Sequence, residues 1–350
     1  MPEGRIYLDH AATTPLVPAA REAMTEALAR WHNPSSPHAE GRAAKAALED
    51  ARSRIAAALG WGGKIIFTSG ASEALGVALR RAKAGPKYVS SVEHDAVFRA
   101  APNAARLPVG PTGIVHATGI EGQRPLVAVQ HANNETGVLQ PLEGIAAVVR
   151  AKGGILLADC AQTAGKLPLP DADMIAVSAH KFGGPPGVGA LLLSDPGLIE
   201  AVGGQEQGYR PGTENLPGII GMAAALDERG EWLDRATSLR ARLEGSLLAA
   251  GGEIVAPDSP RIPTIGGYRM PGVPSNAQLI QFDMAGIAVS AGSACSSGSL
   301  KPSHVLAAMG WQGDAAREVV RVSFGPSTTE AEVDRFATLW TQMAEKRRAA

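Results

Sequence analysis

Cysteine is scarce in this chain. Its 350 residues contain two cysteines, Cys160 and Cys295. Two cysteines in a chain of this length do not form the disulfide framework of a small secreted protein. Residues 1–8 also lack the apolar core of a signal peptide. We therefore predict a protein of the reducing cytoplasm.

Long runs of one charge and long apolar runs are missing as well. The 33 basic and 34 acidic side chains nearly balance, with a net charge of −1, so we expect neither a nucleic-acid surface nor a basic membrane patch. No stretch of about 18 apolar residues predicts a membrane-spanning helix. The 45% hydrophobic content suits a large core, divided between a big domain and a smaller one.

Glycine and proline, in contrast, are abundant, with 41 and 25 residues. They interrupt short apolar runs that alternate with helical patterns, and the predicted strands are 64–68, 88–92, 126–130, 155–158 and 174–177. Such alternation predicts an α/β fold with a mostly parallel sheet covered by helices on both faces. Beyond the polar loop at 203–215, the pattern predicts helices and then a smaller α/β unit.

Polar clusters follow several of the predicted strands. They contain Ser72, His94, Asn134, Asp159 and Lys181. Ligands of open α/β sheets bind beyond the carboxyl ends of the strands. We therefore expect these residues, distant in sequence, to meet at one edge of the sheet.

Lys181 lies between two apolar runs, in a loop rich in glycine and proline. This pattern predicts a strand, a tight loop and a second strand. A lysine that forms a Schiff base needs such a desolvated setting, because desolvation lowers the pKa of an amine. The alternative is an ordinary lysine of a surface loop.

A pyridoxal phosphate site would explain the other clusters. Asp159 ends a strand and could hold the protonated ring nitrogen, or it could cap a helix. Residues 69–72 open a helix and could bind the phosphate, or serve only as a cap. His94 could stack on the ring or be a loop histidine. Other candidate contacts are Gln162 for the ring oxygen, and Ser178 and His180 for the phosphate.

Cys295 is surrounded by small, flexible residues at 290–300. That setting suits a nucleophile that must move, although a chance thiol in a linker is the alternative. Cys160 follows an apolar run and is interpreted as an inert buried thiol. No metal site is predicted.

Ten segments in order resemble those of the cysteine desulfurases, the NifS/IscS-like group of the class V aminotransferase family. Together they extend over nearly the whole chain, and ten ordered motifs are highly specific. The segments are 7–15, 33–36, 67–73, 93–94, 133–137, 159–162, 178–181, 210–213, 292–295 and 321–325.

The resemblance implies the pyridoxal phosphate-dependent transferase fold of type I. It implies a large domain, 14–245, with a mostly parallel sheet of the seven-stranded type. It also implies a smaller α/β domain formed by 1–13 and 246–350, which carries a flexible cysteine loop at about 290–302.

The resemblance further implies the contacts of the cofactor. Lys181 is implied to be the Schiff-base lysine and the base that moves the substrate's Cα proton. His94 is implied to stack on the ring and to carry a proton, and Asp159 and Gln162 to contact the ring nitrogen and oxygen. The remaining implied contacts are Ala71, Ser72, Asn134, Ser178, His180 and Thr213, the last delivered across a homodimer interface.

The implied reaction removes sulfur from L-cysteine, giving L-alanine and a persulfide on Cys295. Asn33, Asn134 and Arg321 are the implied substrate contacts. The persulfide would pass to an acceptor protein, and iron–sulfur cluster assembly, tRNA thiolation and cofactor sulfuration all remain open as destinations. The alternatives are a selenocysteine lyase, another class V aminotransferase or lyase, and a non-catalytic interaction protein.

The chain departs from the family pattern at several points. Pro186 stands where a lysine is expected, Ser72 replaces the usual threonine, and the stretch 110–125 is short. The chain also ends soon after its last predicted helix, whereas housekeeping members carry a longer tail that docks the scaffold. This last departure bears on delivery to an iron–sulfur scaffold and not on the chemistry.

Overall fold

The computed structural model describes residues 4–30, 32–228, 230–292 and 303–349. Cys295 and most of the predicted cysteine loop therefore lie outside the described residues. Of the helices within the described ranges, none has the length and apolar character needed to cross a membrane.

A seven-stranded sheet forms the centre of the larger part of the chain. Its strands are β2 (Lys64–Thr68), β3 (Lys87–Ser90), β4 (Ala105–Leu107), β5 (Leu126–Gln130), β6 (Ile155–Asp159), β7 (Met174–Ser178) and β8 (Gly189–Leu193). They are arranged in the order β2-β8-β7-β6-β5-β3-β4. Within this sheet β8 runs antiparallel to both of its neighbours, and the other pairings are parallel. The predicted mostly parallel sheet is confirmed.

The central strands are apolar along their whole length because both faces of the sheet are covered. Every residue of β5, β6, β7 and β8 is buried, as expected for a sheet between two helical layers. The sequence did not predict β4. It has three residues, of which Ala105 and Arg106 are exposed at the sheet edge, so it lacks the apolar run that marks the other strands.

Helices cover the two faces and build a separate core on each. They are α1 (Pro18–Ala29), α2 (Ala39–Leu59), α3 (Ala71–Arg81), α4 (Asp95–Ala100), α5 (Leu142–Arg150), α6 (Gln205–Gly208) and α7 (Leu216–Asp227). Ile55 of α2 and Met222 of α7 belong to the core on one face, and Leu75 of α3 and Val97 of α4 to the core on the other. Helix α2 ends at Gly60, which adopts the left-handed conformation with φ of 65°.

The smaller part combines both ends of the chain. Its elements are β1 (Ile6–Tyr7), α8 (Leu233–Ala249), β9 (Glu253–Ile254), β10 (Ile265–Arg269), α9 (Ser275–Met284), β11 (Ile287–Ala288), α10 (His304–Ala308), α11 (Gly313–Arg317), β12 (Val319–Ser323) and α12 (Glu330–Ala349). Strands β9, β10 and β12 form an antiparallel sheet, and β1 pairs with β11 in parallel. The predicted small α/β unit is therefore confirmed.

A third core lies between these elements. It contains Tyr268, Phe282, Phe336 and Trp340, together with Leu243 of α8. Helix α8 crosses residue 245 and packs against α12. The domain boundary at that residue stays a prediction.

Candidate active site

A cavity of about 390 Å³ opens at the carboxyl edge of the large sheet. It is lined by residues from many separate loops, which the strand order brings together at this edge. Of the candidate residues, those that line it are Ala71, Ser72, His94, Asn134, Asp159, Gln162, Ser178, His180, Lys181 and Arg321. The structure therefore brings together the polar clusters that follow the predicted strands.

Cavity size alone does not identify this site. A second cavity, of about 780 Å³, lies beside Leu59, Gly165 and Trp232. The described residues that line it include none of the candidates. The smaller cavity is the candidate active site because it gathers an amine, a buried carboxylate, two imidazoles and a helix N-terminus.

Lys181 lies in a single helical turn, Ala179–Lys181, between β7 and β8. This confirms the predicted strand, loop and strand. Its Nζ donates hydrogen bonds to the carbonyl oxygens of Ala11 and Ala12, at 2.6 and 2.9 Å. A half-buried amine that is held by two carbonyls and faces a cavity is not an ordinary surface lysine.

Asp159 is the last residue of β6, and its carboxylate is buried. Oδ1 accepts a hydrogen bond from the N–H of Ala161 at 2.9 Å. Burial raises the pKa of Asp159, whereas the Ala161 N–H, His94 and Lys181 act in the opposite direction. Burial has the larger effect, so the pKa lies above its usual value, and a positively charged group brought against this carboxyl group would stabilise its anionic form.

Gln162 follows Asp159 by three residues and is also buried. Its Nε2 donates to the carbonyl oxygen of Ala11 at 2.9 Å. Its Oε1 is buried and has no hydrogen-bond partner in the described part of the chain. The side chain is thus fixed by one end beside the cavity.

His94 caps α4, because its Nδ1 accepts a hydrogen bond from the N–H of Ala96 at 3.2 Å. When Nδ1 accepts, the neutral ring carries its proton on Nε2. Burial lowers the pKa of His94, which favours this neutral form. The histidine is a helix cap that lines the cavity, and not a freely exposed loop residue.

His180 is the second imidazole of the cavity. Its Nδ1 lies 3.1 Å from Oγ1 of Thr13. Burial, with a contribution from Lys181, lowers the pKa of His180 to about 4. The ring is therefore neutral at physiological pH and can serve as a hydrogen-bonding group.

The N-terminus of α3 forms a cradle of backbone N–H groups. Its N-cap is Gly70, with φ of 151°, and no side chain within the described ranges caps the helix. Ser72 lies in the first turn of α3. Its side chain is exposed and adds a hydroxyl group to this cradle. A side chain on Gly189 would place Cβ 2.6 Å from Cα of Gly70, so glycine is required where β8 passes the cradle. Free N–H groups at a helix N-terminus favour an anion such as phosphate.

Glu73 lines the cavity but is not among the predicted site residues. It accepts a hydrogen bond from the N–H of Ser69 at 2.5 Å and pairs with Nε of Arg210 at 2.8 Å. The hydrogen bonds from Arg210 and Ser69 help to lower its pKa, against the effect of burial. An acid in the first turn of a helix was the available signal.

Two of the predicted substrate contacts meet at the cavity. Nη1 of Arg321 donates to the carbonyl oxygen of Asn134 at 3.1 Å, and its Nη2 donates to Oδ1 of Asp9 at 2.7 Å. Asn33 is exposed, and its Oδ1 accepts from the N–H of Ser35. The structure does not place Asn33 in the cavity, so its role stays a prediction.

Thr213 is exposed and does not line the cavity of its own chain. Its loop is held near the cradle by buried ion pairing. Glu206 pairs with Arg52 at 2.9 Å and accepts a hydrogen bond from the N–H of Phe67 at 2.8 Å. Glu206 has φ of 47°, a strained value for a residue other than glycine.

Comparison with known proteins shows the family of this chain. The family model "Aminotransferase class-V" matches residues 6–336. The chain belongs to the class V aminotransferase family. Among its relatives, the cysteine desulfurase of Cereibacter sphaeroides is 36% identical over 99% of this chain and 97% of its own length. The IscS-like cysteine desulfurase of Mycobacterium tuberculosis is 36% identical over 98% of each chain.

Solved structures of similar proteins share the fold of this class V family member. A NifS-like protein from Rickettsia africae superposes with a TM-score of 0.89 at 30% identity, covering 97% of this chain and 99% of the other. SspA in complex with cysteine superposes with a TM-score of 0.79 at 28% identity, covering 93% and 100%. The predicted resemblance and the type I transferase fold are confirmed.

Class V membership implies pyridoxal phosphate, and the cavity of this chain fits that group. The backbone N–H groups in the first turn of α3 suit a phosphate, and the buried Asp159 suits a protonated ring nitrogen. Oε1 of Gln162, which has no partner among the described residues, shows that a polar side chain beside the cavity has capacity for a further hydrogen bond. Lys181 supplies the amine.

Proposed function

We propose that this chain is a pyridoxal phosphate-dependent cysteine desulfurase. It converts L-cysteine into L-alanine and retains the sulfur as a persulfide on Cys295. The observation that carries the proposal is the convergence of Lys181, Asp159, His94 and the α3 N-terminus on one cavity. The near full-length similarity to proteins named cysteine desulfurase supports the choice of substrate.

The proposed cofactor site uses the residues that line the cavity. The N–H groups at the start of α3, with Ser72 and Ser178, would hold the phosphate, and Asp159 would hold a proton on the ring nitrogen. His94 would contact the ring face, and Gln162 the ring oxygen. When bound, pyridoxal phosphate withdraws electrons from the substrate's Cα and makes its proton acidic.

Lys181 is the proposed base for that proton. Its Nζ is already oriented by the carbonyl oxygens of Ala11 and Ala12, which fix where it can take up and return a proton. Arg321 and Asn134 are the proposed contacts of the substrate carboxylate. A guanidinium binds a carboxylate through two parallel hydrogen bonds, and so also orients the substrate.

Cys295 is the proposed sulfur acceptor. Its thiolate attacks the sulfur of the substrate, so that an S–S bond forms and the C–S bond breaks. A proton then replaces sulfur on the substrate's Cβ. L-cysteine and the Cys295 thiol become L-alanine and the Cys295 persulfide, and the balance requires no external oxidant. The persulfide then passes to an acceptor thiol by exchange.

A homodimer with shared sites is part of the proposal. Thr213 is exposed and lies outside the cavity of its own chain, while the Arg52–Glu206 ion pair holds its loop in place. A residue so presented can reach the cavity of a second copy. Mixed dimers of Lys181→Ala and Thr213→Ala chains test this, because site sharing makes cofactor occupancy depart from that of independent subunits.

The acceptor stays open among an iron–sulfur scaffold, a tRNA-thiolation protein and a cofactor-sulfuration protein. A cytoplasmic location is the matching prediction. Fold similarity does not decide between these acceptors, because the decision depends on the docking partner.

The test measures alanine and sulfide formed from L-cysteine by the wild type, by Cys295→Ser and by the control Cys160→Ala. We expect the wild type and the control to be active, and Cys295→Ser to keep the cofactor but lose the persulfide. Unchanged desulfuration in Cys295→Ser would reject the nucleophile. Activity confined to selenocysteine, run alongside, would favour the selenocysteine lyase alternative.

A further inference from the structure

Two anchored serines, Ser290 and Ser303, lie on either side of Cys295 among the described residues. On the N-terminal side, Oγ of Ser290 donates to Oδ2 of Asp9 at 3.1 Å. The backbone of Ser290 also pairs with that of Arg321, with N···O distances of 2.6 and 3.2 Å. This end is thus attached both to the N-terminal segment and to β12.

On the C-terminal side, Ser303 is the first described residue. Its Oγ donates to Oε2 of Glu135 at 2.6 Å and accepts from the N–H of Leu306 at 3.0 Å, so it also caps α10. Ser303 and Glu135 are 2% and 6% exposed. A hydrogen bond to a carboxylate at this depth is costly to remove, because it leaves a buried polar group unsatisfied.

Both anchors meet at Arg321. Its Nη2 donates to Oδ1 of Asp9, and its Nη1 donates to the carbonyl oxygen of Asn134, the residue before Glu135. Arg321 is 4% exposed and lines the candidate active site. One polar network therefore joins both ends of the segment 291–302 to the guanidinium proposed to hold the substrate.

We propose that Asp9 and Glu135 are positioning residues that hold the two ends of the Cys295 segment in a fixed relation to Arg321. This inference rests on the proposed function. The two acids act at different steps. Asp9 contacts Arg321 directly and so affects substrate binding, whereas Glu135 contacts Ser303, does not line the cavity, and affects delivery of the thiol.

The experiment compares steady-state alanine formation in Asp9→Asn, Glu135→Gln and Ser303→Ala. Exposed residues of α2 supply the matched controls Asp50→Asn and Ser53→Ala. We expect Asp9→Asn to raise KM for L-cysteine at least tenfold, with a smaller change in kcat. Ser303→Ala should lower kcat about tenfold at unchanged KM, and Ser303→Thr should restore kcat. Glu135→Gln removes the charge but keeps an oxygen that accepts from Ser303, so it should lower kcat by a smaller factor.

A second readout does not depend on turnover. The rate at which iodoacetamide alkylates Cys295 is followed by mass spectrometry, with the buried Cys160 as internal reference. We expect faster alkylation in Ser303→Ala than in Ser53→Ala. If Ser303→Ala does not fold, Glu135→Gln takes its place in both readouts.

The outcomes separate the inference from the proposed function. A wild type that forms no alanine from L-cysteine refutes the proposed function, and the alkylation rates then still test the anchors. An active wild type whose anchor variants keep its KM, kcat and alkylation rate overturns the inference. So does a loss of stability alone, with both kinetic constants of the folded protein unchanged.

Discussion

The carboxyl edge of the large sheet and the smaller part of the chain are built in different ways. At the sheet edge, site residues lie at or just beyond the ends of strands, since Asp159 is the last residue of β6 and Lys181 follows β7. In the smaller part, contacts join the two ends of the chain. The Asp9–Arg321 ion pair, for example, joins residues 312 positions apart.

The two regions therefore have different roles: the sheet edge carries the reactive groups, and the smaller part of the chain holds other groups in position. The sheet edge positions the amine, the acid and the cradle through strand ends, whose location follows from local apolar runs. The smaller part holds Arg321 and the ends of the cysteine segment through side-chain hydrogen bonds that no local pattern encodes. Damage to the first region should remove activity, and damage to the second should reduce stability or alter kinetic constants.

The largest expected effect is the loss of activity when the amine at the sheet edge is removed. Lys181→Ala removes the amine held by Ala11 and Ala12, and should lower desulfuration about 10⁴-fold, at the upper end of what a positioned acid–base group contributes. Alanine release is the measurement. The exposed Lys152→Ala is the control and should retain wild-type activity. Residual activity within tenfold of the wild type would show that another group moves the proton.

The second effect is a loss of stability when the core of the smaller part is disrupted. The ring of Phe282 stacks on that of Phe336, with centroids 4.6 Å apart, and both side chains are fully buried. Phe282→Ala should lower the free energy of unfolding by about 3–5 kcal/mol, because it leaves a cavity. Urea unfolding measures this. Ile280→Ala, at an exposed position of the same helix, should change it by less than about 0.5 kcal/mol. An equal cost for both would contradict the assigned core.

A third prediction concerns the pH dependence of stability, which a buried acid beside the site, Glu93, should affect. Burial raises the pKa of Glu93 to about 8, and its Oε2 has no partner among the described residues. The folded chain therefore keeps a proton that the unfolded chain loses near pH 4.5, so the contribution of Glu93 to stability falls as pH rises from about 4.5 to 8. Between pH 5.5 and 7.5 we expect a loss of about 2 kcal/mol.

Glu93→Gln should remove that part of the pH dependence, since glutamine does not titrate. Urea unfolding at the two pH values gives the difference for each variant. The exposed Glu22→Gln serves as the control and should retain the slope of the wild type. The same slope in Glu93→Gln would mean that Glu93 is ionised in the folded chain.

The smallest expected effect is the stability change when an exposed ion pair, distant from the site and from the third core, is removed. Arg150 and Asp171 form an exposed pair with a 2.6 Å contact on the surface of the larger part. Solvent screens such pairs, so Arg150→Ala should cost less than about 1 kcal/mol, and less still at high salt. Chemical unfolding at low and high salt checks this. A larger, salt-independent cost would show a packing role for the arginine.

Much of the large sheet could be predicted from the sequence, because its central strands are continuous apolar runs bounded by turn residues. Residues 64–68 and 126–130 were predicted with the bounds that the structure has. Strand β4 was not, since three residues at an exposed edge carry no such signal. At the start of α12, Thr329 and Glu332 exchange hydrogen bonds, a helix start that depends only on residues three positions apart.

The sequence by itself determined the alternation of strands and helices, and with it the edge at which Lys181 and Asp159 meet. Local apolar periodicity and turn chemistry suffice for that, because parallel strands end on the same side. Only the tertiary structure decided which groups surround them. The carbonyls of Ala11 and Ala12 on Lys181, and the network from Asp9 through Arg321 to Glu135 and Ser303, join segments distant in sequence. Such contacts depend on how the layers pack, and no spacing along the chain records them.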